Sequence, residues 1–65
     1  MKQLTASLIK SPTGSIQLVV KEPDGKPFDR ATMPDDISKT ASDWAVDKVV
    51  WFNNNLPNAI VTLRN

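Results

Sequence analysis

Apolar and polar residues alternate along the opening stretch of this chain. From Lys2 to Lys10, Leu4, Ala6 and Leu8 fall on one side and Thr5, Ser7 and Ile9 on the other. That is the period of a half-buried strand. Ser11-Pro12-Thr13-Gly14 interrupts it with a cluster of turn residues. Alternation resumes from Ser15 to Glu22, with Ile16, Leu18 and Val20 facing one way and Gln17, Val19 and Lys21 the other. Two such runs joined by a short loop containing Gly predict a β-hairpin over 2–22.

Glu22-Pro23-Asp24-Gly25-Lys26 reads as a second turn. Pro presets the φ of the first central position, and Gly takes the left-handed one. A short strand can return within 23–31. Pro27 has no N–H to give a ladder, so that strand belongs at an edge. Thr32-Met33-Pro34-Asp35 has the form of a helix start, and Thr40-Ala41-Ser42-Asp43 offers a second capping pattern. The expected helix runs over about 34–54, ended by Asn53-Asn54-Asn55 in a left-handed stop, with Pro57 beyond. Ala59 to Arg64 then predicts a final strand over 59–64. The order β-β-(β)-α-β implies one α+β domain over 1–65: a small two-layer sandwich, its mostly antiparallel sheet covered by one helix. The final strand can lie parallel to the first through a right-handed crossover.

At about 100° per residue, Ile37, Ala41, Ala45, Val49 and Phe52 share one broad face of that helix. Trp44 and Trp51 lie together at one border with Lys48 beside them, and Val46 and Val50 lie toward the other. This apolar arc is wider than one helix on one sheet needs. Either the tryptophans fold over the sheet, or they face a partner. Trp51 precedes the turn back into Ala59, Val61 and Leu63, so it is expected to be the more buried. Trp44, next to Asp43 and near Asp47, is the expected exposed ring.

Composition narrows the chemistry. The 65 residues contain no His, Cys or Tyr, so disulfides are ruled out and the usual zinc ligands are missing. Ser and Thr lack the customary base for nucleophilic catalysis. Asp35-Asp36 and the Asp43/Asp47 pair read as polar helix-start and surface carboxylates rather than a catalytic dyad. The expectation is a non-enzyme with no cofactor and no metal. With 40% hydrophobic and 23% charged residues, the chain has ordinary globular usage and is not expected to be disordered. No apolar run reaches the length of a signal peptide or membrane span, which points to the cytoplasm and away from a membrane.

Two functions compete. The first is a protein-binding module, a regulator or inhibitor that occludes a surface, with Trp44, Lys48, Trp51 and Val50 as partner-binding residues. The second is a nucleic-acid-binding protein that uses the outward sheet face, with Lys10, Gln17, Lys21 and Lys26 as contacts. A net charge of +1 gives the second no strong support, and Ile9 and Val19 interrupt that face. Open strand edges also favour a twofold homodimer. In size and style the chain resembles short, lone-standing, cysteine-free proteins of phages and mobile elements, though no motif carries that likeness.

Overall fold

Two turns of the same construction organise the antiparallel half of the molecule. The computed structural model describes residues 1–64. In each turn a Pro fills the first central position, and a Gly with positive φ, Gly14 at 91° and Gly25 at 88°, closes the loop. Gly14 N–H donates to the Ser11 carbonyl and Gly25 N–H to the Glu22 carbonyl, each at 2.9 Å. The first turn joins β1 (Lys2–Lys10) to β2 (Ile16–Lys21), and the second joins β2 to β3 (Pro27–Thr32). The expected hairpin and the third strand are both present.

After β3 the chain crosses over the sheet without regular structure and enters helix α1 (Ala41–Asn55), then returns as β4 (Ala59–Arg64). The sheet order is β3-β2-β1-β4, with β1 and β4 parallel and the other pairs antiparallel. The α+β two-layer architecture and the parallel final strand are as the residue pattern predicts.

The helix begins at Ala41, later than the expected start near residue 34. Thr40, and not Thr32, is the N-cap: its Oγ1 accepts from Asp43 N–H at 3.2 Å. Thr32 is taken by β3, where Met33 N–H still donates to the Ile16 carbonyl at 2.8 Å. A residue held extended by a ladder cannot start a helix. The helix end also departs from expectation. Leu56 caps it in an extended conformation with φ −115°, and among the described residues no non-Gly residue has positive φ. The asparagines remain helical, and their amides do other work.

The core lies between the helix and one sheet face. Leu4, Ala6, Leu18, Val20, Trp44, Ala45, Phe52 and Val61 form it. Ala45 and Ala6 are fully buried; small residues there let the helix approach the sheet closely. α1 packs over β4 and β1. Trp44 joins the cluster that Leu18 and Val20 of β2 also enter, and Met33 and Ile37 of the irregular segment pack against it. Ile37 thus serves the core as expected, but from outside the helix.

Both open edges are occupied at mid-strand. On β4, Asn53 donates from Nδ2 to the Val61 carbonyl at 3.0 Å and accepts from Val61 N–H at Oδ1 at 2.7 Å. The side-chain amide thus bonds that edge as a neighbouring strand would. On β3, Arg30 N–H donates to the Asp29 carboxylate at 2.7 Å, and Pro27 has no N–H to offer. The expectation of bare edges holds only in part.

Candidate functional site

The helix has two sides, and the structure tells them apart. Asn53 reaches the outer edge of β4, so its side of the helix overhangs that edge. The opposite side carries Trp44, Lys48 and Trp51 and leans toward β2. Trp44 is 6% exposed and belongs to the core, while Trp51 is 51% exposed. The expected assignment was the reverse and is corrected here. Asp43, one position away, is about 100° from Trp44 on the helix and says little about its environment, and Asp47, three positions on, lies about 60° round toward solvent. The two rings are seven positions apart and differ by only about 20° in direction. They differ in place along the helix: Trp44 lies near its start within the core cluster, against which Met33 and Ile37 also pack, whereas Trp51 lies near its end.

Trp51 is nevertheless held in place. Its ring stands edge-on to buried Phe52, with centroids 5.4 Å apart and planes at 80°. Lys48 Nζ lies 5.3 Å from its centroid, a favourable cation–π distance. Asn55 Nδ2 donates to the Trp51 carbonyl at 2.8 Å. Val50 and Val46, each half exposed and one turn apart, form a separate stripe about 100° or more round the helix from Trp51. Of the four residues expected to bind a partner, three therefore remain at the surface: Lys48, Val50 and Trp51. Trp44 is withdrawn into the core.

The same end of the molecule carries a second, smaller apolar feature. A bulge between Val20 and Lys21 leaves two residues of β3, Phe28 and Asp29, opposite one step of β2. Phe28 is partly exposed there, with Lys2 Nζ 5.6 Å from its ring centroid. A recess of about 210 Å³ opens between Phe28, Lys2 and the Leu56–Ala59 connection. Because α1 runs antiparallel to β4, Trp51 and this recess share one end of the fold. Nothing in the alternation pattern marked Phe28. The bulge placed it, and its only sequence signal was the Pro27-Phe28 pair at the start of an edge strand.

The residues proposed for nucleic acid separate. Gln17 and Lys21 stand on the sheet face away from the helix, as expected. Lys10 has the strand parity of Leu4, Ala6 and Leu8 and falls on the helix side. Lys26 lies beyond the turn beside Asp24, with Nζ to carboxylate at 4.0 Å. Val19, expected to interrupt the outward face, is only 6% exposed. It sits mid-sheet between Ser7 and Arg30.

Electrostatics show little tension. Lys2 pairs with Glu22 at 2.9 Å and Lys39 with Asp47. The Asp47 carboxylate, by hydrogen bond and by charge, holds the half-exposed Lys39 ammonium above its ordinary pKa. Among the described residues no group of three or more carboxylates converges as a metal site would need, and no helix is long and apolar enough to cross a membrane. Comparison with protein-family models, with curated proteins and with solved structures finds no match to this chain.

Proposed function

We propose that the protein is a non-enzymatic binding module, a regulator or inhibitor of a protein in the cytoplasm, with the outer face of α1 as its contact surface. The observation that supports this most is Trp51. It is a large ring, half in solvent, fixed by Phe52 and Lys48 rather than left to move. Tryptophan is the residue most enriched at binding hot spots, and a preordered ring loses less freedom on docking. Val46 and Val50 offer a second apolar stripe across the outer face, with Asp43 and Asp47 between it and Trp51, and Lys48 supplies a cation beside the ring.

A twofold dimer is the simplest partnership such a face allows. With both strand edges blunted at mid-strand by Asn53, Asp29 and Pro27, we assign it to the helix face rather than to sheet extension. The test compares the wild-type chain with Trp51→Ala and Val50→Asp, all verified as folded by circular dichroism. Each is used to capture partners from nuclease-treated lysate of the source cells, and each is weighed by light scattering. A defined protein retained by the wild type and lost from both variants supports the reading. A mass near 7.2 kDa at tens of micromolar removes the dimer, and capture indifferent to both substitutions removes the module.

A further inference from the structure

The near-neutral net charge conceals a segregation of charge between the two faces of the sheet. Strand register places Lys21, Arg30 and Arg64 on the face turned away from the helix, with Thr5, Ser7 and Thr62 between them. By register no acidic strand residue projects from that face; Glu22, just beyond β2, lies at its rim, where it lines a recess beside Lys21. Glu22 turns to Lys2 on the helix side, and Asp24 faces Lys26 beyond the turn. Asp29 pairs in register with core residue Val20. Asp35 and Asp36 lie in the segment before the helix, and Asp43 and Asp47 on the helix itself. No ion pair involves Lys21, Arg30 or Arg64 among the described residues.

We infer that this uncovered face binds the sugar–phosphate backbone of a nucleic-acid duplex. A surface whose three cations form no ion pair among the described residues, with the Lys2-paired Glu22 at its rim, attracts a polyanion without first breaking its own salt bridges. Arg30, Val19, Ser7 and Arg64 stand in one row across the four strands. The two guanidinium-bearing residues are therefore about 14 Å apart at the backbone, three strand spacings. That is the scale of the major groove, about 12 Å wide, so phosphates on both of its walls come within reach. Lys21 stands one residue pair further along β2. The hydroxyls between the cations can donate to phosphate oxygens, and a recess of about 460 Å³ opens there, lined in part by Thr5, Ser7, Lys21 and Arg64 and, at its rim, by the Lys2-paired Glu22. All four aromatic rings belong to the core or to the helix side, so the face has no platform on which unpaired bases could stack. Phosphate contacts position a protein on a duplex without specifying sequence.

The inference is independent of the helix-face reading, and the experiment keeps them apart. Fluorescence anisotropy with a labelled DNA duplex of about 20 base pairs is followed from 50 to 200 mM salt. Three neutralised phosphates give a log–log slope of about −2.7, so the association constant should fall about 40-fold over that range. The Arg30→Gln/Arg64→Gln double variant should bind far more weakly at 50 mM and lose only about threefold to fourfold more by 200 mM, as one remaining contact requires. Lys21→Gln should lower the slope by about one, and Trp51→Ala should change nothing. These substitutions are at the surface, and thermal melting confirms the fold. The inference is overturned by no binding of the wild type at 100 μM in 50 mM salt, or by a double variant that binds like the wild type. Tighter binding of the matching single strand also overturns it. So does competition by polyglutamate as effective as unlabelled duplex, which would make the face a site for acidic proteins.

Discussion

Replacing the two tryptophans one at a time should give opposite results. Trp44 is buried among Leu18, Val20 and Ala45, and truncating such a ring to Ala costs about 3–5 kcal/mol. A domain of 65 residues has a total stability of about 3–10 kcal/mol, so Trp44→Ala should be largely unfolded or close to it. Trp51 forgoes much less. Its edge contact with Phe52 is worth about 0.5–1.5 kcal/mol, and the Lys48 contact at this exposed site about 0.5–1 kcal/mol. Part of both is recovered when the freed groups meet water, so Trp51→Ala should cost about 1 kcal/mol and lower the melting temperature by about 4–8 °C. Urea melts followed by circular dichroism measure both. Iodide quenching supplies the independent check on single-tryptophan proteins: Trp44→Phe leaves only Trp51 to report, and Trp51→Phe leaves only Trp44. Trp51 should be quenched nearly as a free indole and Trp44 several-fold less. Equal quenching of the two rings, or equal destabilisation by the two alanine variants, would refute the assignment of one ring to the core and the other to a contact surface.

Three further outcomes follow from local geometry. Asn53→Asp keeps the acceptor for Val61 N–H but sets a carboxylate against the Val61 carbonyl; it should cost about 1–3 kcal/mol and raise aggregation on size-exclusion chromatography, and an unchanged profile would deny the amide its edge-covering role. Thr40→Ala removes the N-cap bond to Asp43 and should cost about 1 kcal/mol in a urea melt, whereas Thr32→Ala should not disturb the helix. Gly25→Ala meets no atom within 4 Å, so its cost of about 1–2 kcal/mol is a matter of backbone dihedral alone; D-alanine at that position, in synthetic protein, should restore the stability that L-alanine loses.

The strands were legible because their signal is local. Alternation in Leu4–Ala6–Leu8 and Ile16–Leu18–Val20 identifies a face without reference to anything distant, and the Pro–x–Gly turns fix where each strand stops. The helix start was less legible because two capping patterns competed. A strand-pairing bond at Met33 decided between them, and no reading of Thr32 by itself reveals that bond. The tryptophans were misassigned for a related reason. Helical phase places both rings at one border, and phase alone does not tell which of the two positions along the helix lies over the core. The charge segregation on the uncovered face needed the register of all four strands, since Arg30 and Arg64 reach it from opposite edges of the sheet.

The place of β1 in the sheet divides the folding problem unevenly. Tight turns can assemble β1, β2 and β3 as a meander from contacts close in sequence. Pairing Lys2 with Ala59 requires closing a loop that spans nearly the whole chain, and such closure is slow. Until it happens, β1 keeps one bare side, and the helix has only half its seat. Substitutions in the two turns should therefore alter chiefly how fast the native state is reached. Those in α1 and β4, including Asn53, should alter chiefly how long it persists once formed. Folding speed and folding lifetime thus come under the control of different halves of the chain.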